Sequence, residues 1–187
     1  VRVLGLDPCK QRQALAERIG IQLQASALPP RLRVAEALGL FGSFYERRAD
    51  AKELLDILGL AEKRFAAFGK LSGGQKQRLF IALALINKPQ VVFFDELTTG
   101  LDPQARRSSW NLVRQIRERG CTVFLTTHSM EEAERLCDRV LIMDHGQIVA
   151  LDTPEALIRS LGAEKRLVFT LPPGQLMNRF KIRMKHT

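Results

Sequence analysis

The chain has 187 residues, is 45% hydrophobic and 26% charged, and carries a formal net charge of +9. That length suits one domain with a sizeable core, and the composition is typical of a soluble globular protein. The longest unbroken apolar run, Leu79 to Ile86, falls short of the roughly 20 residues that cross a bilayer, and Val1-Arg2-Val3-Leu4-Gly5-Leu6 lacks the basic-then-apolar pattern of a secretory leader.

Val1 to Leu6 alternates enough to predict a short strand, closed by Asp7-Pro8. Gln11 to Glu17 reads as a short helix or polar turn, and Arg18 to Gln24 as a strand ending in glutamine. Val34 to Tyr45 and Ala49 to Leu58 carry apolar residues at three- and four-residue spacing, with Gly59 and Gly69 as stops. No strand signal occurs between Ala25 and Leu71, so this block is expected to be a helical subdomain. Gln75 to Lys88 is a helix, apolar on all sides from Leu79 to Ile86 and therefore buried; Pro89 ends it. Val91-Val92-Phe93-Phe94 is the wholly apolar run of a strand covered on both faces. Asp102 caps a helix with Pro103 in its first turn, running to Arg119 before Gly120. Cys121 to Thr126 reads as a second buried strand. Ser129 and Glu132 form a capping-box pattern that opens another helix. Arg139 to Met143 is a third strand, turned by Asp144-His145-Gly146 into Gln147 to Leu151. Thr153 and Pro154 open a last helix, stopped by Gly162. Lys165 to Thr187 shows only a possible strand, Arg166 to Leu171.

Strands alternating with helices predict an α/β fold: a parallel sheet with helices on both faces, joined to an α-helical subdomain. The expected division is 1–24 for the first core strands, 25–75 for the helical subdomain, 76–162 for the rest of the core and 163–187 for a tail.

The chemistry lies at the ends of the strands. Asp95 and Glu96 follow an apolar strand and so stand at the carboxyl edge of the sheet, where open α/β folds bind ligands. Ionised carboxylates there call for a cationic partner, and magnesium carried by a nucleotide is a natural one. Asp95 would hold the metal, directly or through water, and Glu96 would polarise the water that attacks a terminal phosphate. A strand that merely meets a solvated loop can look the same.

Leu71-Ser72-Gly73-Gly74-Gln75 reads first as a helix start, Ser72 capping and Gln75 answering three residues later. That explains neither Gly73 nor Gly74, since glycine is unfavourable inside a helix. Bare amides at a helix N-terminus bind anions, so the turn can hold a phosphate. His128 follows the apolar strand Val123-Phe124-Leu125, where an imidazole can reach a γ-phosphate or the attacking water. Gln24, another strand-end residue, can ligate magnesium or orient water. Cys9, Cys121 and Cys137 lack metal-ligand spacing and read as reduced, small apolar filler in a cytosolic protein. The basic excess has no interleaved aromatic stripe. It fits a solvated surface or nearness to the inner face of a membrane, and predicts no nucleic-acid partner.

In this order and spacing, the motifs resemble those of ATP-binding-cassette transporter nucleotide-binding domains, over about Val1 to Gly162. Leu71 to Gln75 is similar to the signature motif, Val91 to Glu96 to the Walker B strand with its catalytic glutamate, Thr99-Gly100-Leu101-Asp102 to the D-loop, His128 to the switch histidine and Gln24 to the Q-loop glutamine. Leu101 to Arg107, Thr126 to Glu134, Ile142 to Gly146 and Asp152 to Glu155 further resemble daunorubicin-resistance-type exporters. The resemblance implies a P-loop NTPase-like fold, ATP and magnesium as cofactors, and catalysis by Glu96 and His128. Nucleotide contacts would come from Gln24, Leu71, Ser72, Gly73, Gly74, Gln75, Asp95 and Asp102, with Asp95 and Gln24 on the metal.

It also implies a membrane-spanning permease partner and a second nucleotide-binding domain paired head to tail, with the protein peripheral at the cytoplasmic face of the membrane. Two departures stand out. No G-x-x-x-x-G-K-[ST] phosphate loop occurs in the sequence, and Val1 to Asp7 resembles the strand that follows that loop's helix, so an N-terminally truncated sequence is expected. Leu97 stands where the family usually has proline. The alternatives are a non-catalytic partner that lends only its signature turn, and a soluble cassette ATPase acting on DNA or ribosomes. The latter usually carries coiled coils or a second cassette, and neither is present.

Overall fold

The computed structural model describes residues 1–24 and 26–160. The tail expected from 163 onward, the possible strand Arg166 to Leu171 and the stop at Gly162 lie outside them. In chain order the elements are α1 (Arg12–Ala16), β1 (Ile19–Gln22), α2 (Val34–Gly42), α3 (Ala51–Ile57), α4 (Gly73–Leu85), β2 (Val91–Asp95), α5 (Pro103–Glu118), β3 (Thr122–Thr126), α6 (Met130–Leu136), β4 (Val140–Asp144), β5 (Gln147–Asp152) and α7 (Pro154–Ser160). Two short 3-10 turns, Ala61–Lys63 and Phe68–Lys70, lead into α4.

β1, β2 and β3 form a parallel sheet in that order. The register sets Gly20 beside Val92 and Val92 beside Val123, then Gln22 beside Phe94 and Phe94 beside Leu125. Side chains alternate across a strand, so these residues share one face, and Val92 and Phe94 are buried in the core. That core joins Val34 and Leu38 of α2, Leu79 to Ala84 of α4, and Trp110, Val113 and Ile116 of α5. α4 is buried along its apolar stretch, as expected. It presses its Ala84 carbonyl against Gly20, where a Cβ would come within 1.9 Å of the oxygen.

Four sequence expectations change. Val1 to Leu6 is a tight turn rather than a strand: Val3 bridges Leu6, while Leu4 (φ 52°) and Gly5 (φ 77°) bend the chain back. Alternation there described a turn that glycine permits. β3 is not buried on both faces. Val123 and Leu125 pack on the core, but Phe124 is 57% exposed, its ring 5.4 Å from that of Phe93. β4 does not extend the parallel sheet, because His145 (φ 46°) and Gly146 (φ 76°) fold β5 back onto it as an antiparallel pair. The sheet's third member is β1 instead. Cys9 is exposed and so is not filler, whereas Cys121 and Cys137 are half-buried and burial pushes both thiols up.

The helix starts follow the capping chemistry that the sequence carries. Ser72 N–H donates to Gln75 Oε1 (2.9 Å) and Gln75 N–H to Ser72 Oγ (3.3 Å), a complete capping box. Asp102 Oδ1 accepts from the amides of Gln104 and Ala105, both 2.9 Å away. Asp50 caps α3, and the Glu53 amide holds its carboxyl below the usual range. At α6 only half of the expected box forms. The Glu132 amide reaches Ser129 Oγ at 3.4 Å, but the Glu132 side chain turns into the core and accepts from Trp110 Nε1.

Candidate nucleotide site

Parallel register brings the strand ends together. Gln22 sits beside Phe94, so the chain two residues on, at Gln24, leaves the sheet beside Glu96. Asp95 ends β2 opposite Thr126. The expected strand end at Gln24 is two residues late: β1 stops at Gln22, and Gln24 lies beyond the edge. From there its side-chain amide donates to Glu96 Oε2 at 2.7 Å. The His128 Nδ1 lies 3.4 Å from Glu96 Oε1. Gln24, Asp95, Glu96 and His128 therefore meet at one edge of the sheet.

Glu96 has φ 48°, left-handed and uncommon for a residue with a side chain. Such conformations cluster at functional sites and persist where their surroundings fix them. Here the Glu96 amide donates to the Thr126 carbonyl (3.0 Å) and the Glu96 carbonyl accepts from the Thr99 amide (3.2 Å). Leu97, the residue in place of the family's proline, is 1% exposed and anchors the turn in the core.

Two residues of the cluster, each within a motif the sequence singled out, were given no site role there. The Thr99 hydroxyl donates to Glu96 Oε2 at 3.1 Å, and the Thr126 hydroxyl donates to Asp95 Oδ1. Thr126 was readable in principle, as the strand-end residue of β3 beside the end of β2.

The Ser72–Gln75 turn stands apart from this cluster. With Gly100, Leu101 and Asp102 it lines an open cleft of about 520 Å³. Among the described residues no hydrogen bond joins Ser72–Gln75 to Gln24, Asp95, Glu96 or His128. Leu71 is buried beneath the turn and holds it to the core, so its own side chain does not face the cleft. A Cβ at Gly73 would meet nothing within 4 Å, and one at Gly74 would make only ordinary contact with Ala105. Neither glycine has positive φ. The fold thus gives no internal reason for glycine at either place, which leaves the bare amides at the start of α4 as the feature they preserve. The segment Glu96 to Asp102 joins the two groups, carrying the acidic edge at one end and the cleft at the other.

Among the described residues no group of three or more His, Cys, Asp or Glu side chains is placed to hold a metal ion. Asp95 and the amide oxygen of Gln24 offer oxygen ligands. That set is too small for an all-protein cage but fits an ion brought in on phosphate oxygens. No helix among the described residues is long and apolar enough to cross a membrane.

A family described as ABC transporter matches residues 2–99. Curated relatives include the Nod factor export ATP-binding protein I of Burkholderia lata, 41% identical over 186 residues, which cover 96% of this chain and 61% of that protein. The protein of the same name from Rhizobium sp. (strain N33) is 41% identical over 185 residues, 95% of this chain and 60% of its own length. The chain thus spans about three-fifths of the length of these relatives. A solved structure titled "Structure of ATP binding subunit of ABC transporter" superposes with a TM-score of 0.73 over 86% of this chain and 69% of the other, at 24% identity, a likeness of fold. With residues 2–99 matched by that family, the chain belongs to the ABC transporter family.

Proposed function

We propose that this chain is part of an ATP-hydrolysing subunit that drives export through a membrane-spanning permease. The observation that carries the reading is the meeting of Gln24, Asp95, Glu96 and His128 at the carboxyl edge of the sheet. Glu96 acts as general base on the water that attacks the γ-phosphate, and His128, beside it, hydrogen-bonds the phosphate or the water. Asp95, which accepts a hydrogen bond from the Thr126 hydroxyl, and the Gln24 amide oxygen would hold a magnesium ion, which would supply positive charge against the triphosphate.

Two copies paired head to tail complete each nucleotide site. Within one chain the Ser72–Gln75 turn opens into a separate cleft, so its amides serve a phosphate bound by the mate. Ser72, Gly73, Gly74 and Gln75 then face that phosphate, with Leu71 beneath them and Asp102 beside them. Binding of ATP draws the copies together, and hydrolysis releases them. Residues 25–75, the block that follows Gln24 and ends in the signature turn, carry the motion to the permease, and the protein would lie at the cytoplasmic face of the membrane. The relatives' printed names speak of export of Nod factor; for this chain we propose export, with drug efflux as the substrate class suggested by its daunorubicin-resistance-type motifs.

A second reading is a partner that lends its signature cleft and does not itself hydrolyse ATP. One experiment separates the two. With a phosphate-loop segment supplied ahead of Val1, the first reading expects ATP turnover that Glu96→Gln lowers about 100-fold or more. Turnover indifferent to Glu96→Gln would defeat it. The second expects no turnover with that segment, but stimulation of an intact cassette, lost with Ser72→Asp.

A further inference from the structure

Two helices begin at the candidate site. α5 starts at Asp102, at the far end of the segment that opens with Glu96. α6 starts immediately after the His128 loop, with Ser129 as its cap. One buried side-chain bond joins them: Trp110 Nε1–H donates to Glu132 Oε1 at 2.9 Å. Glu132 is 1% exposed and Trp110 4%. Around that bond Arg135, one turn further along α6, lies over the Trp110 ring at 5.2 Å. Arg117 of α5 donates to the Leu136 carbonyl (2.8 Å) and to Asp138 (2.8 and 3.0 Å). The two helices are tied along their length.

A carboxylate at position 132 is a costly way to fill space. Burying it is unfavourable without hydrogen bonds, and an apolar side chain would occupy the volume without that demand. Its use here also leaves α6 with half a capping box. What the pair provides is a directional link, fixing α6 on α5 in one register.

We propose that Trp110 and Glu132 are positioning residues, whose bond couples the placement of His128 against Glu96 to the placement of the Gly100–Asp102 segment in the Ser72–Gln75 cleft. Through α5 and α6 the two ends of the chain's chemistry move as one piece. The catalytic meaning of this rests on the reading of His128 given above, because in the paired arrangement His128 serves one nucleotide and the cleft serves the other. The bond then links the two sites of a dimer through the interior of a single copy.

The chain supplies its own reporters, a single tryptophan and three histidines. In the full 187-residue chain, Trp110→Phe keeps most of the ring volume and removes the donor. The His128 imidazole resonance should shift by more than its linewidth while that of His145 stays in place. Glu132→Gln, which keeps an acceptor oxygen, should leave His128 at its original position. Coupling is reciprocal, so His128→Gln, at a side chain 69% exposed, should in turn move the Trp110 indole N–H resonance. This arm spares the core and decides the matter if Trp110→Phe does not fold. An unmoved His128 signal in folded Trp110→Phe, an equal shift of His145, or an indole signal indifferent to His128→Gln would each overturn the proposal. With a phosphate loop supplied, Trp110→Phe should lower kcat about ten- to 100-fold at nearly constant KM for ATP; a change in KM alone would count against it. Imidazole shifts together with turnover insensitive to Glu96→Gln would leave the coupling standing and remove the ATPase reading.

Discussion

Gln24 donates its side-chain amide to Glu96 across 72 positions of sequence, at 2.7 Å. The contact follows from topology. β1 and β2 are parallel neighbours with Gln22 beside Phe94, so each chain leaves the sheet at the same edge two residues later. The residue at which the chain passes from the core into the 25–75 block is thereby hydrogen-bonded to Glu96, so a displacement of that block that carries Gln24 with it should disturb the Glu96 carboxylate.

The same Glu96 oxygen also accepts from Thr99. Thr99→Val replaces that hydroxyl with a methyl group of similar size. The bond is exposed, so stability should change by no more than about 1 kcal/mol. Where turnover is supported by a supplied phosphate loop, losing one of the two donors that aim Glu96 should reduce kcat about tenfold. Steady-state hydrolysis beside thermal unfolding checks this, and an activity loss matched by a large fall in melting temperature would assign Thr99 to the fold instead.

Ser72 has two duties that substitution can separate. Ser72→Ala removes the cap of α4 and should cost about 1 kcal/mol. Ser72→Asp restores a capping oxygen and brings a negative charge to the helix start, favourable for the helix but repulsive toward a phosphate. Ser72→Asp should therefore unfold near the wild-type temperature and fail to form an ATP-dependent pair with an intact cassette, as read by size-exclusion chromatography. Pairing at wild-type strength would show that the turn does not face a phosphate.

Much of this arrangement was legible in the sequence, because it was local. The caps at Ser72 and Asp102 act within three residues and form as read. β2, α4 and the β4–β5 hairpin follow from apolar runs and turn residues. The failures share a cause, in that tertiary partners decide between equivalent local patterns. Ser129 and Glu132 match a capping box, yet a tryptophan 22 residues earlier claims the carboxylate. Val1 to Leu6 alternates like a strand but has no neighbouring strand to pair with among the described residues. Thr99 and Thr126 carry hydroxyls whose partners are set by the folding of loops against the sheet edge. Gln24 and His128 were read from their places after apolar strands and matched to motifs by resemblance; their meeting at Glu96 required the register.

Gln22 lies in the same strand as Gly20 and faces the same core. It is 4% exposed; its Nε2 donates to the adjacent Leu23 carbonyl, and its Oε1 has no partner among the described residues. A buried acceptor left unpaired costs about 1–3 kcal/mol. Gln22→Leu should therefore be neutral or stabilising by about 1 kcal/mol, raising the melting temperature by about 2–4 °C at this chain length. A destabilisation would mean that the Oε1 is paired after all.

Gly20 makes the opposite prediction two residues away. Its backbone meets α4 so closely that an added Cβ would stand 1.9 Å from the Ala84 carbonyl oxygen and 2.9 Å from its carbon. No rotamer relieves a clash with backbone, so Gly20→Ala must lever α4 away from β1. Overpacking of this kind costs about 1–3 kcal/mol or more, a fall of several degrees in melting temperature. Gly39, inside α2, is the control: a Cβ there meets nothing within 4 Å, and Gly39→Ala should stabilise by up to about 1 kcal/mol through helix propensity and the unfolded chain. The displaced α4 begins at the Ser72 turn, so Gly20→Ala should also weaken ATP-dependent pairing with an intact cassette, even at temperatures where the variant is fully folded. Circular-dichroism melts of the two variants test the contact. Equal melting temperatures would mean that α4 does not lie against β1 as described, and the placement of the signature turn relative to the sheet edge would fall with it.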